Sequence, residues 1–243
     1  MENQKNNNAG GYLFLMIGMI IAAVIIAWGF GNILDNSETI SVKGYAEKTI
    51  KSDYAVWSIT VNARTTTLAE TYSILNRNKL RIKEFLQQNG FENDKIAESS
   101  LNNFTLYDYS NSGDQVGVKG YQMSQNISVT SKDLNKIQSL SLSINSLLSE
   151  GIDFTSNPPE YYISDIGKYK IEMLGEALRD AQARAQAIAG SVGNKVGGIK
   201  SARQGIFQIT ASNSTEISDW GINDVSSIEK SIKSVVDATF FIK

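Results

Sequence analysis

The sequence predicts an α+β fold: antiparallel or mixed sheets packed by three main helices in repeated strand-strand-helix units, preceded by one N-terminal transmembrane helix. Three observations predict it. No residue from Asn6 to Leu34 is charged, and Tyr12–Phe30 is nearly all aliphatic and aromatic. Beyond it, runs alternating polar and apolar residues come in pairs, and each pair is followed by apolar residues at three- and four-residue steps. The change of period from two to 3.6 marks the passage from strand to helix.

At 1.5 Å per helical residue, Tyr12–Phe30 spans roughly 28 Å, close to the hydrocarbon thickness of a bilayer. The segment is apolar on every face and follows an Asn-rich leader, which argues against a buried core helix. Gly29-Phe30-Gly31 and Ala27-Trp28-Gly29 read small-x-small, as a signal cleavage site would. The apolar run exceeds the ~7–15 residues of a signal core, so the reading weighs toward a retained anchor. Lys5 precedes the span, and Asp35 and Glu38 follow it. That asymmetry places the N-terminus in the cytosol and the rest outside. The chain divides into a leader at 1–11, an anchor at 12–33, a linker at 34–38 and a folded domain at 39–243.

Thr39–Val42 and Lys48–Ile50 form a first strand with Gly44 interrupting, and Ala55, Trp57, Ile59 and Val61 line one face of a second. Leu68, Tyr72, Leu75, Ile82, Phe85 and Leu86 then mark a helix ended by Asn89-Gly90. Its basic stripe, Arg77, Lys79, Arg81 and Lys83, reads as a solvated face. Ala97–Tyr109 and Val116–Val129 flank Ser110-Asn111-Ser112-Gly113-Asp114, a hairpin signal. Leu134, Ile137, Leu140, Ile144, Leu147 and Leu148 mark a second amphipathic helix, ending before Gly151.

Ile152–Thr155, Pro158-Pro159 and Tyr161–Ile163 lead to a third helix, capped by Ser164 or Asp165 and running to about Ala189. Ala177, Ala181, Ala185 and Ala189 form a stripe that lets a neighbour approach closely, and packing on the chain's own sheet outweighs a seam between subunits. Gly190, Gly193, Gly197 and Gly198 follow a helix instead of opening one, so they are turn residues and not a phosphate loop. Ile199–Ala202 and Ile206–Ile209 read as short strands, and Ala211–Val225 as a long polar loop around Trp220. Ser226 and Glu229 have capping-box spacing, which predicts one helical turn before a last strand over Val235–Ile242.

The chain has no cysteine and no histidine. Disulfides, thiol nucleophiles, Ser-His-Asp hydrolysis and the usual imidazole or thiolate metal sites are therefore excluded. With a net charge of −2 and no clustered Lys/Arg excess, nucleic acid is not an expected partner. No cofactor and no metal is expected.

Several strings together resemble the SIMPL-domain (YggE-like) family: Val42-Lys43-Gly44-Tyr45-Ala46, Gly120-Tyr121-Gln122 leading to Val129 and Asp133-Leu134, Glu176–Ala181, and Gly193-Asn194-Lys195-Val196-Gly197. Pro158–Tyr162, Lys170–Leu174, Gly205–Thr210, Asn213–Glu216 and Ser226–Lys230 look like a membrane-anchored bacterial subgroup. The resemblance runs from about Thr39 to the C-terminus. It implies an α+β fold, an extracytoplasmic (periplasmic) location and self-assembly, in at least one branch as rings; it implies no catalytic mechanism.

Three function classes follow. The favoured one is a non-catalytic, membrane-tethered envelope protein that assembles as a homo-oligomer. The second is a ligand- or partner-binding module whose surface uses Tyr107, Tyr109 and Tyr121 on the hairpin, Tyr161 and Tyr162 by the Pro-Pro turn, and Trp220 in the polar loop. No small-molecule ligand can be named from these residues. The third is a carboxylate hydrolase, for which Glu172, Glu176 and Asp180 share one helical face; nearby Lys168, Lys170, Arg179 and Arg184 favour ordinary salt bridges instead.

Overall fold

The computed structural model describes residues 9–35, 38–92 and 95–243. The leader through residue 8 and linker positions 36–37 lie outside the described residues. Helix α1 covers Ala9–Asp35, 27 residues. Its described side chains, residues 11–27, are all exposed. Among the described residues no helix is long and apolar enough to cross a membrane. In α1 those side chains make a stretch shorter than the about 20 residues of a span, although the helix backbone extends beyond them at both ends.

Two compact units follow from the contacts. Of the described residues, one comprises those up to 46, 171–206 and 233–243, the other those in 47–170 and 207–232. Strands β1 (Thr39–Lys51) and β10 (Glu229–Ile242) and helix α4 (Ile166–Ser191) each run from one unit into the other.

In the first unit, β10 pairs antiparallel with β8 (Val196–Gln204), Val236 opposite Gln204 and Ile242 opposite Val196. On the other side of β10, Ser41 meets Thr239 at 2.9 Å and Lys43 meets Asp237 at 2.7 Å. Strand β1 passes through Gly44 without interruption, contrary to the sequence expectation. A Cβ there would lie 2.0 Å from the Ala177 carbonyl and 2.7 Å from Ala181 Cβ, so glycine lets β1 lie against the alanine stripe of α4. Ala177, Ala181, Ala185 and Ala189 are all buried. The stripe thus packs on the chain's own sheet.

The second unit holds the larger core. Its sheet runs β3 (Ile96–Glu98), β5 (Gln115–Ser131), β2 (Tyr54–Thr65), β6 (Phe154–Ser156), with β4 (Asn102–Tyr109) pairing on β5 and β7 (Glu160–Tyr162) on β2. Strand β2 alternates half-buried and buried, and its inner residues Ala55, Trp57, Ile59 and Val61 are fully buried. The indole N–H of Trp57 donates to Ser156 Oγ at 3.1 Å, which satisfies its one polar atom. Helix α2 (Leu68–Gln88) starts at Thr67, whose side chain accepts from Glu70 N, and ends where Gly90 adopts φ +78°. Its buried face is Thr71, Leu75, Asn78, Ile82 and Leu86, while Leu68 and Tyr72 are exposed. The basic stripe is more than a solvated face: Lys79 and Lys83 hold Glu98 at 2.9 and 2.7 Å, and Arg81 holds Glu150 at 2.8 Å. Helix α3 (Leu134–Ser143) is capped by Asp133 and continues as a 3₁₀ turn, Ile144–Glu150.

Two further expectations change. The Ala97–Tyr109 run splits into β3 and β4, and no helical turn forms at 226–229, where β10 already begins. Ser226 instead gives its N–H and hydroxyl to Asp224 Oδ1 at 2.8 and 2.7 Å, a local turn that competes with helix initiation.

Candidate functional site

The sequence-selected aromatics separate into three places, which do not form one surface. Tyr107 and Tyr109 stand on β4, with Tyr121 opposite Thr105 across the hairpin on β5. Tyr161 and Tyr162 sit on β7, and Trp220 projects from the 211–225 loop at 94 % exposure.

The hairpin is an open, apolar projection. Phe104, Tyr107, Tyr109, Val116 and Val118 are all exposed. The pairing of β4 with β5 skips Val116 and Lys119, so both bulges fall on β5 and β4 runs regular. Among the described residues β4 pairs only with β5, so its outer edge is unpaired. That edge, Asn-Asn-Phe-Thr-Leu-Tyr-Asp-Tyr, carries no lysine and no proline, the residues that usually block strand addition.

The polar loop is pinned, not loose. Gln208 donates through Nε2 to Ser218 O at 2.7 Å and accepts Ile222 N at 2.9 Å. Residues 222–224 then lie beside β9 (Gln208–Ala211), with Ile209 N bonded to Ile222 O and Asp224 N to Ile209 O. Gly221 supplies the turn at φ +83° next to Trp220.

This strap closes a cavity of about 120 Å³ against β7 and the start of α4, lined by Tyr161, Tyr162, Ile209, Asn223, Asp224 and Lys230 among others. Lys230 is fully buried, its side chain 2 % exposed. Its ammonium donates to the Asp224 carbonyl at 2.5 Å and lies 3.8 Å from Asp224 Oδ2. Burial pulls the Lys230 ammonium below the usual lysine value, with Asp224 acting against the shift. Burial pushes the Asp224 carboxyl up, but the Ser226 bonds, a nearby Ser227 hydroxyl and the Lys230 charge outweigh it and hold the group below its ordinary value. None of these gives Oδ2 a well-formed hydrogen bond: it is buried with no such partner among the described residues. Sequence reasoning missed Lys230, which it left between a helical turn at 226–229 and a strand beginning at Val235, whereas β10 starts at Glu229 and buries Lys230, Ser231 and Ile232 in succession.

Around this cavity Tyr161 is buried, which pushes its phenol up. Tyr162 donates to Glu160 Oε2 at 2.5 Å and stacks on Tyr54 at 5.4 Å between ring centres. Beside that stack a groove of about 790 Å³ holds Asp53, Lys132, Asp133 and Ser164. Burial raises the Asp53 carboxyl, but hydrogen bonds from the Ser164 hydroxyl and N–H, helped by Lys132, hold it below its usual value. Ser164 is thereby engaged, and Asp165 caps α4 through Lys168 N at 3.2 Å.

The three helical carboxylates are half-buried and engaged in the first unit. The Tyr45 N–H and Arg184 both donate to Asp180 Oδ2, at 2.8 and 2.7 Å, and hold the carboxyl below its ordinary value. Glu176 faces Arg179 at 3.9 Å. Asp180 thus fixes β1 to α4. Among the described residues no group of three or more acids, histidines or cysteines is placed to hold a metal.

The model of SIMPL, a protein family of unknown function (DUF541), matches residues 40–239. The chain belongs to the SIMPL family. The match covers both compact units of this SIMPL protein, from the start of β1 to near the end of β10, and stops short of α1. No curated protein matches it.

Proposed function

We propose that this SIMPL protein is a membrane-tethered, extracytoplasmic module that assembles with copies of itself and performs no catalysis. The observation that carries the proposal is α1. Its described side chains include Leu13, Phe14, Ile17, Ile20, Val24 and Ile25, all between 47 % and 78 % exposed. A helix apolar all round has no polar face to give to water, and lipid satisfies it. The backbone of α1 runs for 27 residues, about 40 Å. The charge asymmetry about the segment supports an N-terminus in the cytosol and the SIMPL domain outside.

Self-assembly is supported by the hairpin. Antiparallel pairing of two β4 edges about Thr105 sets Asn102 opposite Asp108, Asn103 opposite Tyr107 and Phe104 opposite Leu106, with no like charges facing. Tethering raises the local concentration of such edges. The test is alkaline extraction of membranes carrying the full chain, with protease access to the domain from each side, followed by crosslinking in the membrane. Release of the intact chain at high pH sinks the tether, and a solely monomeric band across crosslinker lengths sinks the assembly.

A further inference from the structure

A groove of about 630 Å³ runs between the end of α3 and the Pro158-Pro159 segment, a size within the about 300–1,000 Å³ of ligand clefts. None of the eleven described residues that line it is charged, in a chain with 23 basic and 25 acidic residues. Its serine hydroxyls are committed: Ser141 donates to the Gln138 carbonyl at 2.8 Å, Ser156 accepts from Trp57, and Ser226 donates to Asp224. The side-chain carboxamides of Gln138, Asn145 and Asn157 have no hydrogen-bond partner among the described residues. Tyr161 lines the same groove and is 5 % exposed, and its hydroxyl is neither bonded to a described residue nor sealed from solvent. The walls are pinned by backbone bonds from Asn157 N to Ser58 O at 3.0 Å, Tyr161 N to Val225 O at 2.7 Å and Ser52 N to Ile228 O at 2.9 Å. A groove held in shape this way loses little freedom when a ligand arrives.

The lining selects against charge and for hydroxyls. A carboxamide sets donors and an acceptor side by side, which matches an alcohol that both gives and accepts a hydrogen bond. Gln138, Leu142 and Asn145 recur at steps of four and three along one helical face, so a hydrocarbon stands between two carboxamides. Five steps at about 1.5 Å and two in the 3₁₀ turn at about 2.0 Å separate Gln138 from Asn145 by about 11 Å along the axis. An extended sugar unit is about 5 Å long from ordinary bond lengths, so the two carboxamides stand about two rings apart. Leu142, 70 % exposed, lies where the C–H face of a ring would cover it. We infer that this groove binds an uncharged, extended, β-linked oligosaccharide of two or three rings, its hydroxyls on Gln138, Asn145 and Asn157 and its C–H faces on Leu142 and Pro158. The volume agrees: at about six waters' worth of space per ring, each about 30 Å³, the groove holds about three rings. A free peptide brings charged termini, for which the lining has no counterpart. The site lies within one compact unit and is independent of the proposed tether and assembly.

The test is saturation-transfer NMR and calorimetry on the full chain in micelles of a sugar-free detergent. The probes are cellotriose, N-acetylated chitotriose, its deacetylated cationic form, glucose and an end-blocked trialanine peptide. At least one of the two neutral trisaccharides is expected to bind at millimolar concentration, with glucose, the cationic trimer and the peptide at least tenfold weaker. Gln138→Ala combined with Asn145→Ala removes two exposed carboxamides, and should weaken that binding more than tenfold with the thermal melt preserved. Should that variant fail to fold, Asn145→Asp, which keeps the shape and adds a charge, should weaken it at least fivefold. No transfer to either neutral trisaccharide, glucose or the cationic trimer or the peptide binding as tightly as the neutral trimer, or a folded variant with undiminished affinity overturns the assignment.

Discussion

Gly44→Ala is the sharpest perturbation the structure offers. The added carbon would stand 2.0 Å from the Ala177 carbonyl oxygen and 2.7 Å from both the backbone nitrogen and Cβ of Ala181. Carbon–oxygen contacts settle at about 3.3–3.6 Å, so strand and helix must part by more than about 1 Å. The nearest obstacle is backbone, and no rotamer can relieve it. Separation also loosens the stripe of Ala177, Ala181, Ala185 and Ala189 from the sheet and forfeits dispersion contacts along it. Overpacking costs about 1–3 kcal/mol when a core can yield, and this contact belongs at the upper end. At about 2–4 °C per kcal/mol, a loss of about 3 kcal/mol lowers Tm by about 6–12 °C. Thermal unfolding of the full chain in micelles, followed by circular dichroism, measures it. Adding Ala181→Gly should restore little, since the Ala177 carbonyl remains in the way. A Tm within about 2 °C of the parent protein would refute the close approach of β1 to α4.

Three further outcomes are expected. Hydrogen bonds from Lys83 and Lys79 hold Glu98 below its ordinary value of 4.5, so its contribution is present above that pH and lost as pH falls through the lower folded value. Glu98→Gln should therefore cost about 1 kcal/mol near neutrality and flatten the acid limb of stability in urea titrations at stepped pH. Ile20→Arg puts a charge in the middle of α1 at an insertion cost of about 2.5–3.5 kcal/mol, and should shift the chain from the pellet toward the soluble fraction in membrane flotation. Thr105→Lys places like charges opposite each other in the proposed β4 pairing, and should weaken self-association at least tenfold by analytical ultracentrifugation in micelles while leaving the melt unchanged; unaltered association rejects that register.

The elements read well from the sequence because their causes are local. Alternation at Ala55–Val61 needs only one buried face, and an end signal such as Asn89-Gly90 depends on its own backbone conformation. Readings failed where a partner outside the local pattern intervened. Gly44 looks like a break until α4 is laid over it; at Ser226–Glu229 the failure is local, a turn to Asp224 two residues back that capping spacing does not reveal. Leu68 and Tyr72 share the helical period but lie beyond the sheet's cover.

The sequence by itself determined the uncharged apolar segment, the succession of strands and helices, and the absence of histidine and cysteine chemistry, all properties of residue type and spacing. Only the tertiary structure decided that Tyr161 turns inward, that β4 keeps an open edge, and that Lys230 is sealed beside Asp224. The cavity there is walled by β7, the start of α4, β9 and the strap at 222–225, segments far apart in the chain. Burial of a charge depends on what the rest of the chain places around it, and no local pattern records that.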